Sequence, residues 1–362
     1  MEEFLRILAG AVAAGASDIH LKANSPLVFR IHRELTEVDS PAPTIEWLDG
    51  VVKQMVPPHA RKRFEEEGEI DFSYFAEGSG RFRTNIFHQR GQLCVAMRVV
   101  KTKVPSFEQL GLLPIVQKLA ETPRGIVLVA GSTGAGKSTT LAAMIQHINA
   151  NFKKHIITLE DPIEYTFDEI KSVIEQREIG LDTLSFEHAL KNILRQDPDV
   201  IMLGEMRDAT SFSAAMRAAD TGHLVLSTVH TTNAAQSITR VLEFFHADER
   251  EQVRRQLAGT LVAVICQRMT PTKTGGVVPA LEILRNTATV RSLIEDNRIE
   301  KLAAAIETGG DDGMQNFNQA LLNLVKEGRI TQEAAIAKAS NPDALRMNLK
   351  GIFLTEGKRI LG

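Results

Sequence analysis

The sequence predicts an α/β protein: a phosphate-loop domain built on a parallel sheet, with a smaller α+β unit ahead of it and a helical segment behind. Three observations predict this. Continuous apolar runs at Ile126–Ala130, Ile156–Leu159, Val200–Leu203 and Leu224–Thr228 alternate with helical stretches, the texture of strands covered on both faces. The first run enters a glycine-rich loop that opens a helix. Before residue 98 apolar residues alternate as in half-buried strands, and after about residue 285 they recur at helical spacing.

Residues 1–98 read as one unit. A helix over Glu3–Ala14 leads into short strands around Ile19–Leu21 and Leu27–Ile31. A second helix spans Ile45–Met55, and the charged stretch Arg61–Gly68 is a third, ended by glycine. Strands at Ile70–Phe75, Arg81–Gln89 and Leu93–Val99 close the unit. Residues 99–111, with their lysines, proline and terminal glycine, are expected to be a linker. Residues 112–362 are then the second domain, helical from about 285 onward through Val290–Asp296, Ile299–Thr308, Phe317–Glu327 and Gln332–Ala339.

Within that domain the strand Ile126–Ala130 runs into Gly131-Ser-Thr-Gly-Ala-Gly-Lys137-Ser138 and then a helix through Ile148. This is the phosphate-loop pattern in its strand–loop–helix setting. The glycines let successive N–H groups turn inward on a phosphate, and the helix N-terminus adds its dipole. The expected nucleotide contacts are Ser132, Thr133, Gly134, Ala135, Gly136, Lys137, Ser138 and Thr139. Lys137 reaches the β- and γ-phosphates of ATP, and the Ser138 hydroxyl is a ligand for Mg2+.

The strand Ile156–Leu159 ends in Glu160-Asp161-Pro162-Ile163-Glu164, and Val200–Leu203 ends in Gly204-Glu205. Strand ends are where α/β sheets place ligands. Glu205 is therefore expected to bind Mg2+, partly through water, or to activate the attacking water. Glu160 and Glu164 are candidates for the same neighbourhood. The bland alternatives are a solvated acidic turn and a Glu205–Arg207 ion pair. His223 and His230 flank the strand Leu224–Val229. Either can serve as a near-neutral donor at the nucleotide; for His223 a structural role is the equal alternative. Arg81 and Arg83 share one face of a strand, with Phe82 opposite. They either bind carboxylates within their own unit or clamp the γ-phosphate across a domain or subunit boundary.

Bulk properties disfavour several classes. Lys+Arg 42 against Asp+Glu 45 leaves no basic excess for neutralising nucleic-acid phosphates. No apolar run approaches the ~20 residues of a membrane span. The stretch Phe4–Ala16 lacks the positive flank of a signal peptide, since Glu2 and Glu3 precede it. Cys94 and Cys266 cannot form a four-cysteine zinc module. A cytoplasmic chain is expected.

Together these stretches resemble the secretion-type ATPase superfamily that powers type II secretion and type IV pili. The likeness covers nearly the whole chain: Ala16-Ser-Asp-Ile-His20, the phosphate loop, an acidic box at Glu160–Glu164, the carboxylate strand Asp199–Glu205 and a histidine box at Thr221–Thr231. Within it the chain is most similar to the pilus retraction ATPases of twitching motility. Thr287-Ala-Thr-Val-Arg291-Ser-Leu-Ile294-Glu295 resembles their C-terminal signature, with departures at several positions. Gly309–Gln315 and Asn341–Arg346 fit the same type.

The resemblance implies a RecA-like phosphate-loop ATPase domain, a PAS-like N-terminal domain over 1–98 and assembly as a homohexamer. It implies water-activating roles for Glu164 and Glu205, histidines 223 and 230 at the site, and approach of Arg81 and Arg83 to the nucleotide on domain closure. ATP turnover would turn an inner-membrane platform protein at the pilus base and release pilin subunits into the membrane. The chain would then be cytoplasmic and peripherally associated with that membrane, and a paralogous pilus ATPase is a further partner of this class. Ser132 stands where the family usually has proline and Ala135 where it often has serine; neither supplies a side-chain ligand. The competing readings are an extension or secretion ATPase, an accessory retraction ATPase dependent on a primary motor, a non-catalytic nucleotide-binding ring subunit, and a nucleic-acid translocase.

Overall fold

The computed structural model describes residues 1–32 and 34–352. The chain divides into two compact units. The first holds Met1–Lys103, Asp161–Thr166 and Glu178–Leu184; the second holds Val104–Glu160, Phe167–Arg177 and the chain from Ser185 onward.

The first unit is an antiparallel sheet of six strands. They are β1 (Asp18–Lys22), β2 (Val28–Ile31), β3 (Glu34–Glu37), β4 (Glu69–Ala76), β5 (Gly80–Gln89) and β6 (Gln92–Val99), in the order β3-β2-β1-β6-β5-β4. Helices Glu2–Ala13 and Ile45–Met55 supply Phe4, Leu8, Leu48 and Val52 to one core with Phe82, Ile86 and Met97. The second helix begins where Thr44 accepts the Trp47 N–H at 3.1 Å. Strand β5 alternates as its sequence predicts: Phe82, Thr84 and Ile86 are buried, whereas Arg81 and Arg83 lie on the other face. Strand β3 was not expected, because Glu-Leu-Thr-Glu is exposed throughout and has no apolar face to betray it. Backbone pairing to β2 defines it.

The second unit is a seven-stranded sheet: β7 (Gly125–Ala130), β8 (His155–Glu160), β9 (Val173–Glu178), β10 (Val200–Leu203), β11 (Leu224–Val229), β12 (Leu261–Pro271) and β13 (Val277–Arg285). Their order is β13-β12-β7-β11-β10-β8-β9. Strands β12, β7, β11, β10 and β8 pair in parallel, and β13 returns antiparallel to β12. Strand β7 is buried at every residue. Its Ile126, Leu128 and Ala130 face one core with Phe212 and Leu257, while Val127 and Val129 face another with Leu141 and Ile145. Burial on both faces explains the unbroken apolar runs. Four of these strands coincide with the apolar runs of the sequence; β9 and the β12–β13 hairpin were not expected. Helices Ala288–Glu295, Leu302–Thr308, Phe317–Lys326, Gln332–Lys338 and Pro342–Leu349 follow. Among the described residues no helix is long and apolar enough to cross a membrane.

Candidate nucleotide site

Strand β7 delivers the chain into the loop Gly131–Gly136, and the helix Lys137–Asn151 leaves it. Two glycines are required by geometry. Gly131 has φ 154°, and a Cβ there would lie 2.9 Å from the Gln267 carbonyl oxygen and 2.8 Å from the Ala135 Cβ. Gly136 caps the helix at φ 84°, a left-handed conformation that side chains resist. Lys137 folds back so that Nζ donates to the carbonyls of Gly131 at 3.0 Å and Ser132 at 3.2 Å. Its ammonium thus lies in the mouth of the loop, bonded to backbone oxygens. Ser138 and Thr139 occupy the first turn of the helix, and Ser132, Thr133 and Gly134 are exposed. Gln267, which the sequence reading missed, braces the arrangement from β12: its Nε2 donates to Thr140 Oγ1 at 2.9 Å.

Parallel pairing puts the carboxyl ends of β8, β10 and β11 on the same edge as the loop. Val229 is paired with Ala130, and Leu203 with both Ser227 and Leu159. Glu160, Glu205 and His230 therefore emerge along one edge with Gly131. Glu160 is buried and accepts hydrogen bonds from Thr158 Oγ1 at 2.8 Å and Gln176 Nε2 at 3.3 Å. Glu205 faces two partners. Its Oε2 lies 3.2 Å from His230 Nε2, and its Oε1 pairs with Arg207. The exit of β10 is tied to β11 through Thr228 Oγ1, which donates to the Gly204 carbonyl at 2.8 Å. Burial, followed by the charges of Lys137 and Arg207, lowers the His230 pKa below its ordinary value. Neutral imidazole therefore prevails near pH 7, with Nε2 as the ring nitrogen that faces Glu205.

His223 falls elsewhere. Its carbonyl accepts the Gly125 N–H at 3.0 Å, so it lies at the amino end of β7 and β11. The loop begins after the opposite end of β7. Its Nδ1 is 2.8 Å from the Ala218 carbonyl and 3.1 Å from Thr221 Oγ1. Six strand residues separate His223 from the loop edge.

The remaining candidates belong to the first unit. Ile163 and Tyr165 are buried at 3% and 4% exposure, and Glu164 between them is exposed. Arg81 Nη1 donates to Glu178 Oε2 at 3.2 Å, a carboxylate of the same compact unit though outside residues 1–98. Arg83 is exposed and lines a cavity of about 360 Å³ with Arg63, Asp71, Ser73, Asp161 and Glu178. Glu178 was not anticipated, because its side-chain partners lie 97 and 105 residues away in the chain.

A family model described as type II/IV secretion system protein matches residues 2–343. The chain is 40% identical over 341 residues to the type IV pilus retraction ATPase PilT of Pseudomonas aeruginosa, covering 94% of this chain and 99% of that one. It is 41% identical over 353 residues to the type IV pilus ATPase PilU of the same organism, covering 96% and 91%. A crystal structure of the pilus retraction motor PilT with bound ADP superposes with a TM-score of 0.86 at 42% identity, covering 94% of this chain and 97% of that one.

Proposed function

The chain belongs to the type II/IV secretion system protein family, and on that premise we propose that it is an ATP-hydrolysing motor driving type IV pilus retraction. The observation that carries this reading is the Lys137-closed phosphate loop sharing a sheet edge with the Glu205–His230 pair. It supplies both halves of the reaction, a triphosphate grip and a base for water.

In this reading the amides of Ser132–Ser138 and the Lys137 ammonium hold the β- and γ-phosphates. Hydroxyl and carboxylate oxygens suit a hard cation, so Ser138 and Glu205, the latter partly through water, would hold Mg2+. When bound, Mg2+ neutralises charge on the phosphate oxygens. Glu205 accepts the proton of the water whose oxygen attacks the γ-phosphorus, as the bond to the β–γ bridging oxygen breaks. His230 donates to Glu205 and keeps its acceptor lone pair oriented. Glu164 is a second water-priming carboxylate. Arg81 and Arg83 answer the charge that develops in transfer, and Arg81 must leave Glu178 to do so. Glu160 supports the edge through its hydrogen bonds, and His223 has no part in the chemistry.

The wider assembly follows from the same reading. Residues 1–98 form the body of a PAS-like domain, with which Asp161–Thr166 and Glu178–Leu184 cluster, 99–111 a linker, and the rest of 112–362 the RecA-like motor. Six copies form a ring in the cytoplasm against an inner-membrane platform protein. A second reading, an accessory retraction ATPase that works with a paralogous motor, is favoured by the near-equal identities of 40% and 41% to PilT and PilU. A deletion strain separates the two. Hyperpiliated cells that no longer retract support the primary motor, undiminished retraction supports the accessory role, and unchanged piliation and retraction in a strain lacking both paralogues would sink both.

A further inference from the structure

We infer that Glu178 is the positioning residue that sets the backbone of Glu164, an inference that rests on reading Glu164 as a water-priming carboxylate. The side chain of Glu178 is 5% exposed. One of its oxygens, Oε2, receives three donors: Ser73 Oγ at 2.7 Å, Arg81 Nη1 at 3.2 Å and the Ile163 N–H at 3.2 Å. A carboxylate this buried is costly unless such donors surround it. The three come from separate stretches, namely β4, β5 and the turn 161–166. The last of them is the residue immediately before Glu164.

The carboxylate is itself held in place. The backbone N–H of Glu178 donates to Asp182 Oδ2 at 2.8 Å, and the Gly180 N–H donates to the Thr183 carbonyl at 2.7 Å. The far side of the turn is fixed independently. The Thr166 N–H donates to the Lys101 carbonyl at 3.0 Å, and Lys101 Nζ lies 5.5 Å from the centre of the Tyr165 ring. Glu164 is therefore the exposed residue between two pinned neighbours. The later pin is aromatic contact and backbone pairing, which includes the Lys101 N–H donating to the Glu164 carbonyl at 3.4 Å, and the earlier one depends on a single carboxyl side chain. An ion pair serving only Arg81 would not need the Ile163 amide on the same oxygen.

Displacing a catalytic group by about 1 Å costs on the order of a hundredfold in rate. In the full-length protein, Glu178→Ala should lower kcat about ten- to a hundredfold while affinity for a fluorescent ATP analogue stays within about twofold. Glu178→Gln keeps an oxygen for the Ile163 amide and should stay within about threefold of the parent. Glu178→Asp keeps the charge for Arg81 but shortens the reach, and it should fall like the alanine variant; this pair carries the test if the alanine variant does not fold. Adding Glu178→Ala to Glu164→Gln should cost nothing further. Wild-type kcat in the alanine and aspartate variants, or equal losses in the glutamine and aspartate variants, would overturn the positioning role. If Glu164→Gln is slow and Glu178→Asp is not, only this inference fails. If Glu164→Gln turns over normally, the reading beneath it fails too.

Discussion

Glu205 Oε2 lies 3.2 Å from His230 Nε2, so a residue two positions beyond β10 and the residue just beyond β11 meet beside the phosphate loop. Strand pairing makes the contact: Leu203 is in register with Ser227, and each following residue is carried outward on the same edge. Glu205→Gln keeps the shape but removes the base. Turnover should fall about 10²- to 10⁴-fold, the range for loss of a general base, with ATP-analogue binding retained. Steady-state hydrolysis and equilibrium binding on the same preparation check this, and turnover within threefold of the parent would remove Glu205 from the chemistry.

The pH profile gives a second prediction. The His230 pKa is lowered first by burial and then by Lys137 and Arg207. Because the shift is downward, imidazole stays neutral below the ordinary value of 6.5, and turnover should hold as pH falls through that value before declining. Arg207→Gln removes one of the cations that disfavours protonation. The acid limb should therefore move to higher pH, and a limb that stays put or moves lower would show that His230 does not govern it.

Much of this could be read from the chain, and the reasons differ by element. Helix Ile45–Met55 and strand β7 were legible because one face, or both, must be apolar. The phosphate loop was legible because its constraint is local. Strand β3 has no buried residue to reveal it. Gln267 and Glu178 act on partners about a hundred residues distant, which no period in the sequence encodes. His223 shows how strand polarity locates a residue. It precedes its strand while the loop follows β7, and in a parallel pair those are opposite edges. The information was present in the strand polarity.

Gly131→Ala probes the loop directly. The added methyl would meet the Gln267 carbonyl oxygen at 2.9 Å and the Ala135 Cβ at 2.8 Å, from a backbone at φ 154°. Strain of about 1–3 kcal/mol is expected, and it must displace either β12 or the loop. Melting temperature should fall and nucleotide affinity should fall with it. An unchanged affinity would mean that the loop geometry is not what grips the phosphates.

Lys137→Ala separates the grip from the fold. In this structure the ammonium gives up water for two carbonyl oxygens, Gly131 and Ser132, and is 8% exposed. Removing it deletes those bonds but also removes a buried cation, so the two effects on stability oppose each other. A shift of no more than a few degrees in melting temperature is expected. Turnover has no such compensation, because no other residue of the loop carries a positive charge. Hydrolysis should drop to background while the sheet survives, as followed by circular dichroism. Turnover that persists in a folded Lys137→Ala protein would mean that the triphosphate is held somewhere other than this loop.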